Sequence, residues 1–563
     1  MISSGQTTGS HCFTNPYKFR IESLPFSRIS SQTKFFLDYQ SDPESLRRFL
    51  PGALKGHATL SERIKPILEG YEVDRHRLAD ALLAQNRDLE SGPKALENIG
   101  RLRDQDCVAV VTGQQVGLFT GPLYTVYKAL SAIKLAECLS NRGFKAVPIF
   151  WMATEDHDFE EISKTSVIGR DGRLHGLTVS SPESELHPSV GRMTIGGDVS
   201  ETIDELMMEL PATEFSREIE IALRRTWRPG ENFGRAFARL LNWLIGDRGL
   251  VFMCPLDSEI KKLSGPIYRK AIENATELTD LAIKRSADLV EKGYHAQVHV
   301  SEDYFPLFYE TESGTRTALR RNKGGGFVTR EGNVEFQEAD LLKLADEHPE
   351  RLSPGALLRS IVQDYLLPTV AYFAGAAEIA YFAQGSGAYE LLGRTAPTVY
   401  HRQSLTLIEP RHAKTFDQFG LTLEGLFEGV ETISPRIVES ILNSDVAATF
   451  DSVEREVMGQ LDALNLKLGG VDPTLTENLE MRRRKIEYHL KALRHKFHQA
   501  QLRKDDAARK RIETLFDVVL PHDHLQERTL NICSFVNRYG RSVCEWIYEA
   551  IDLDDPDHRI LYL

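Results

Sequence analysis

The sequence predicts an α/β protein: an open, doubly wound parallel sheet with inserted lobes, followed by a C-terminal α-helical antiparallel coiled coil. Two observations carry the sheet. The apolar run 107–111 ends in a loop of glycines, glutamines and threonines, TGQQVGLFTG (112–121), and leads into an amphipathic helix; the apolar run 147–151 then ends in ATEDHDFEE (153–161). Strands apolar on both faces suit a buried parallel sheet, and the polar tips of two successive ones face one crevice, where open α/β sheets bind ligands. A third observation carries the coiled coil: apolar residues step by three or four from Phe450 to Leu468 and again from Ile486 to Ala500.

Taken in order, residues 57–104 read as helical, and the sheet begins at 107. Pro122 suits the first turn of the next helix, which buries Val126, Leu130, Ile133 and Leu135 and stops near Gly143. Residues 165–200 are turn-rich with short alternating strands, and a helical pattern fills 201–247. Strand character returns at 249–254, a long helix spans 258–291, and short strands surround Gly324, Gly325 and Gly326. The core resumes over 357–384 as helix, strand, small-residue loop and helix, and 399–407 reads as a last core strand. The chain thus divides into a disordered tail (1–20), a first core part (21–164), an inserted lobe (165–247), a core continuation (248–300), a second insertion (301–356), a second core part (357–445), a hairpin broken at GGVDP (446–515) and C-terminal helices packing back on the core (516–563). A long hairpin with narrow apolar stripes calls for a partner, so a homodimer through the coiled coil is expected.

Composition narrows the function classes. The 563 residues exceed one core, and 41% hydrophobic with 26% charged residues fits a globular protein. A net charge of −13 argues against broad affinity for nucleic acid. No apolar run reaches membrane-spanning length, and the first residues lack the apolar segment of a secretory signal, so a cytoplasmic location is expected. Six cysteines (Cys12, Cys107, Cys138, Cys254, Cys533 and Cys544) show no CxxC spacing and read as reduced thiols; there is no metal signature. The arm 480–512 is strongly basic, which fits a solvated coiled-coil face or a nucleic-acid contact, but it lacks aromatic interleaving.

Three loops carry candidate chemistry. In the first, Gly113 and Gly117 allow close backbone approach, while Thr112, Gln114, Gln115 and Thr120 offer neutral donors and acceptors for a polar substrate; Lys128 reaches an anion or is solvated. A tight strand-to-helix turn is the alternative. In the second, Glu155, Asp156, His157 and Asp158 gather acids around a histidine: His157 is the candidate general base, with Asp158 or Asp156 orienting it, against the alternative of acids placed to suit a helix dipole. In the third, Gly375–Glu378 opens the helix bearing Tyr381 and Gln384, and Arg359 and Gln363, one turn apart, face the same crevice or a buried network.

Longer stretches resemble one family. TGQQVGLFTGPLYTVYKALSAIKLA, PIFWMATEDHDFEEI, LLRSIVQDYLLPTVAYFAG, EIAYFAQ and LPHDHLQERTLN are similar to the bacillithiol biosynthesis BshC family, as are LPFSR, FFLDY and GYHAQVHV. The loop AGAAE departs from the Gly-Pro pair expected before Glu378. The resemblance implies a Rossmann-like core with two connecting-peptide insertions and a dimerising coiled coil, a layout similar to class I aminoacyl-tRNA synthetases. It also implies a ligase that joins L-cysteine to glucosaminyl-malate through an amide bond, as the last step of bacillithiol biosynthesis. ATP or another adenine nucleotide is implied too, the family being associated with one near the coiled-coil junction. TGQQVG takes the topological place of the HIGH signature without its histidines, and no KMSKS-like signature is found. A nucleotidyltransferase-like, adenylate-forming enzyme and a nucleic-acid-binding or scaffold protein on an inactive core are the other readings.

Overall fold

The computed structural model describes residues 19–180, 188–312, 314–322, 324–441, 444–504 and 506–563. The expected tail lies outside these residues as far as residue 18, and so does Cys12. The described chain separates into two compact units: one runs to Thr406 and takes up Gln526–Leu561, and the other spans Leu407–Leu525 with Tyr562–Leu563.

The first unit is built on five parallel strands: β1 (Val108–Gln114), β2 (Ala146–Met152), β3 (Val251–Met253), β4 (Thr369–Ala374) and β5 (Thr398–His401). Their spatial order is 3-2-1-4-5. The chain winds outward from β1 in both directions, so a crevice opens beyond the carboxyl ends of β1 and β4, the switch point of such sheets. β2 and β4 are buried along their whole length and β1 up to Thr112 and Gly113, which accounts for their unbroken apolar runs. Helix α1 (Tyr124–Asn141) joins β1 to β2 and ends before Gly143, whose φ of 88° suits glycine. Val108, Val110, Ala132, Leu135, Leu139, Val370 and Phe373 form one buried cluster with Leu60, Ile64 and Ile67 of the N-terminal helices. Each large aliphatic side chain so buried contributes about 1.5–3 kcal/mol.

Two differences from the sequence reading bear on the site. Pro122 stands ahead of α1, because a short turn at Leu118–Thr120 intervenes. The expected last core strand is two: β5 ends at His401, and Ser404–Ile408 leaves the parallel sheet for a three-stranded one. Arg402 and Gln403 occupy the break. The expected helix 258–291 is likewise two, Ser258–Glu273 and Ala275–Glu291, parted at Asn274. After β2 come the antiparallel hairpin Lys164–Ile168 and Leu174–Thr178 and three helices ending at Ile245. Before β4, strands Tyr304–Glu310, Arg316–Arg321, Phe327–Thr329, Glu335–Phe336 and Leu352–Pro354 make a second sheet of five.

In the second unit, helices Ser444–Gly469 and Pro473–Lys504 pack antiparallel. Phe450 meets Phe497 at 5.6 Å between ring centres, and Arg494–Asp451 (2.7 Å) and Arg483–Asp462 (3.2 Å) pair across the hairpin. Among the described residues, no helix is long and apolar enough to cross a membrane.

Candidate active site

The loop after β1 is held in a conformation side chains resist. Phe119 (φ 49°) and Thr120 (φ 77°) are left-handed, which costs about 1–3 kcal/mol each. Asn531 supports them: its buried Nδ2 lies 2.9 Å from both Phe119 O and Gly121 O and 3.1 Å from Thr165 Oγ1. Gly117 is glycine because a Cβ there would meet Gly121 Cα at 3.0 Å. The loop therefore folds on itself, and Gln114 and Gln115 are what it presents to the crevice.

The crevice encloses about 530 Å³. On the β1–β4 side a charged network forms its wall. Lys128 is 2% exposed, and its Nζ donates to Gly113 O (2.9 Å), Gln114 Oε1 (2.8 Å) and the Glu378 carboxylate. Glu378 also accepts from Gly375 N (2.7 Å) and the Tyr372 hydroxyl (2.9 Å). Burial by itself would raise the Glu378 carboxyl; Lys128 and the Gly375 N–H outweigh it and hold the group below its ordinary range. Arg359 Nη2 donates to the Tyr381 and Tyr372 hydroxyls (2.9 and 3.3 Å), and Nη1 donates to Gln363 Oε1 (3.2 Å). Gln363 in turn donates to Asp364 (3.0 Å), whose carboxyl burial pushes up to about 6.

The β2 side is acidic. Gln115 Nε2 donates to Asp156 and to Glu161, both at 2.8 Å. Glu155 is buried against Lys261, which also donates to Leu352 O (2.6 Å). His157 is 43% exposed, with Nδ1 3.5 Å from Arg316 Nη1 and 3.7 Å from Asp156 Oδ1. Arg316 stacks on the Phe308 ring at 3.6 Å, so the second insertion brings a cation to the histidine. Arg402 and Arg528 complete the lining on the opposite flank.

Of the residues singled out in the sequence, Gly113, Gln114, Gln115, Lys128 and Glu155 meet in this crevice, as do Asp156, His157, Arg359, Glu378 and Tyr381. Six do not line it. Thr112 Oγ1 donates to Phe373 O within the sheet (2.9 Å). Gly117 and Thr120 are taken up by the folded loop. Asp158 caps the short helix Phe159–Ile162 by accepting from Glu161 N (3.2 Å) instead of orienting His157. Gln363 is fully buried beneath Arg359. Gln384 pins Val298, donating to its O (2.7 Å) and accepting from its N (2.9 Å). Two expectations change with the environment. Lys128 is neither solvated nor unpaired, because α1 is covered on nearly every face; and Gly113 makes room for Trp151 and the Tyr372 hydroxyl, which a Cβ would meet at 3.0–3.3 Å. Among the described residues, no three His, Cys, Asp or Glu side chains converge as metal ligands.

The family comparison agrees with this layout. Residues 20–403 match the model for the bacillithiol biosynthesis BshC N-terminal Rossmann-like domain, and residues 405–563 match that for the BshC C-terminal coiled-coil domain. The chain belongs to the BshC family. Its relatives include proteins named "Putative cysteine ligase BshC" from Salinibacter ruber, 34% identical over 95% of this chain and 97% of the relative, and from Solibacter usitatus, 35% identical over 95% and 98%. A third, from Koribacter versatilis, is 33% identical over 96% and 99%. For this BshC chain, sequence reasoning missed Arg316, Arg402, Arg528, Tyr372 and Lys261. Arg528 and Tyr372 lie inside the quoted stretches LPHDHLQERTLN and LLRSIVQDYLLPTVAYFAG; Arg316 and Lys261 give no signal without the fold.

Proposed function

We propose that the chain is a cytoplasmic ligase that joins L-cysteine to glucosaminyl-malate, the last step of bacillithiol biosynthesis. The observation that supports this most is that the crevice gathers both signs of charge: Arg359, Arg402, Arg528 and Arg316 line it together with Asp156 and Glu161. Arginines suit the carboxylates of the malyl group, and the acids suit the cysteine ammonium. The C–N amide bond would form as the sugar amine attacks the cysteine carboxyl carbon and a carboxyl C–O bond breaks, the displaced oxygen leaving with the phosphate-bearing group that ATP would supply; His157, at the mouth beside Asp156, would take the proton the amine loses. ATP, when bound, supplies the carboxyl activation that amide formation in water requires. In the second unit a groove of about 520 Å³ lined by Lys414, Lys510 and Arg511 suits the phosphates of an adenine nucleotide.

The test is product formation. Purified protein given cysteine, glucosaminyl-malate and ATP is expected to yield the cysteinyl amide, detected by mass spectrometry. His157→Ala should lower the rate about 10²–10⁴-fold at equal folded protein. An undiminished rate would remove His157 from the chemistry, and product formed equally well without ATP would remove the nucleotide.

The hairpin exposes Leu466, Val471, Met481, Tyr488 and Leu493 at 57–83%, which supports pairing with a second copy of the chain. Sedimentation should show a dimer that Leu466→Glu with Leu493→Glu converts to monomer; a monomeric unmodified protein would refute the pairing.

A further inference from the structure

Two opposite charges beside the crevice are joined through an amide and do not touch. Arg359 of helix Ala356–Leu366 lines the crevice, and its hydrogen bonds go to three neutral acceptors: the Tyr381 and Tyr372 hydroxyls and Gln363 Oε1. A guanidinium has five N–H groups, so these bonds leave it donors to offer a ligand. Asp364 of the same helix is buried, and its carboxylate accepts from the Tyr389 hydroxyl and from Gln363 Nε2 (3.0 Å). Among the described residues, neither Arg359 nor Asp364 joins an ion pair; the fully buried Gln363 stands between them. Arginine only donates and an ionised carboxylate only accepts, so the amide has one orientation, oxygen toward Arg359 and nitrogen toward Asp364. Direct contact would neutralise the guanidinium. The amide fixes its direction and leaves its charge for an anion.

We propose that Asp364 is a positioning residue: through Gln363 it holds Arg359 in the direction that receives an anionic group of the substrate, without meeting that substrate itself. A site of this kind depends on side chains locked from behind, and a buried acceptor does the locking here. An ionised carboxyl is costly at this depth, and hydrogen bonds from Tyr389, Thr369 and Gln363 work against the cost. Burial still raises the group to about 6, which leaves it ionised near neutral pH, as Gln363 requires. The identity of the anion, a carboxylate of the malyl group, rests on the ligase reading; the positioning does not.

The test compares crystal structures and L-malate binding, by calorimetry, in variants of the full-length protein. Asp364→Leu with Tyr389→Phe removes the acid together with the hydroxyl it accepts from, which spares the core an unpaired polar group. Gln363 then loses its fixed orientation, Arg359 is expected to leave Tyr381, and malate should bind about tenfold more weakly. Gln363→Leu cuts the link while Asp364 keeps Tyr389; it should weaken malate as far, and it serves if the first variant does not fold. Asp364→Asn is the conservative counterpart. Its amide oxygen can still serve Gln363, because the Tyr389 hydroxyl accepts as well as donates. Arg359 should stay in place there, with affinity within about threefold of the unmodified protein. Arg359 unmoved in the first two variants, or affinity lost equally in all three, overturns the proposal. Malate bound by no form, the unmodified protein included, would remove the malyl assignment instead, and the place of Arg359 in the structures would still decide the positioning.

Discussion

Glu378→Ala is expected to destabilise the first unit by about 3–5 kcal/mol and to abolish product formation. The substitution strands the Lys128 ammonium, 2% exposed, with two neutral acceptors and no counter-charge. It also frees the Gly375 N–H at the start of a helix and the Tyr372 hydroxyl. Urea unfolding monitored by circular dichroism measures the first effect. A double replacement, Lys128→Met with Glu378→Leu, separates structure from chemistry: removing both charges should recover much of the stability, since a buried pair contributes little over an apolar one. Activity should stay lost, because the wall that carries Arg359 and Tyr381 is gone. Stability lost in the single variant and regained in the double, with activity regained too, would assign this wall to folding alone.

Arg402→Ala carries the second large effect, again about 3–5 kcal/mol. Arg402 Nη2 donates to Glu527 Oε1 at 2.8 Å, and the two side chains are 5% and 2% exposed. Glu527 also accepts from the Ser404 hydroxyl (2.7 Å) and Leu405 N (3.0 Å). Because the Ser404 hydroxyl donates to Glu527, it accepts from His558 Nδ1 (2.7 Å). Burial brings the His558 pKa down to about 4, so the imidazole is neutral near pH 7 and its Nε2 accepts from Thr406 Oγ1 (2.9 Å). Burial would raise the Glu527 carboxyl, but Arg402 holds it below its ordinary value. A depressed carboxyl stabilises the fold above the unfolded glutamate value of about 4.3, and this contribution fades as pH falls through the lower folded value. Asp364 acts in the opposite sense: with its pKa raised to about 6, its ionisation costs stability as pH climbs through the range from about 4 to 6. Thermal unfolding of the unmodified protein should therefore fall steeply below about pH 4, and Arg402→Ala should lose that acid dependence in part. An unchanged acid limb in the variant would detach Glu527 from it.

The strands were legible because parallel strands buried on both faces leave long apolar runs, and β1, β2 and β4 are such runs. Pairing TGQQVG with TEDHD followed from strand succession alone, and ten of the residues expected at the crevice line it. What failed was direction. Gln384 follows Glu378 by six residues, about 240° around a helix, and so faces away from it. Thr112 sits where a neighbouring carbonyl takes its hydroxyl. Asp158 is claimed by the first free N–H groups of its own helix, as residues in that position commonly are. Lys128 read equally as reaching an anion or as solvated, since sequence periodicity does not reveal a helix covered on nearly all sides; the anion it reaches is Glu378. Arg402 occupies a break between strands that composition reads as continuous, and Arg316 reaches the histidine from a separate sheet.

The Asn531 support has a consequence for synthesis. The loop it braces is four hundred residues earlier in the chain, and Glu527 and Arg528 arrive in the same late stretch. A nascent chain can pair β1 to β5 long before that stretch leaves the ribosome, yet the loop after β1 would remain slack and its Arg402 unmatched. The entire helical second unit must be translated in between. The completed crevice is therefore an end-of-translation event, and a chain stalled within the helical unit would be a folded sheet with an unfinished crevice.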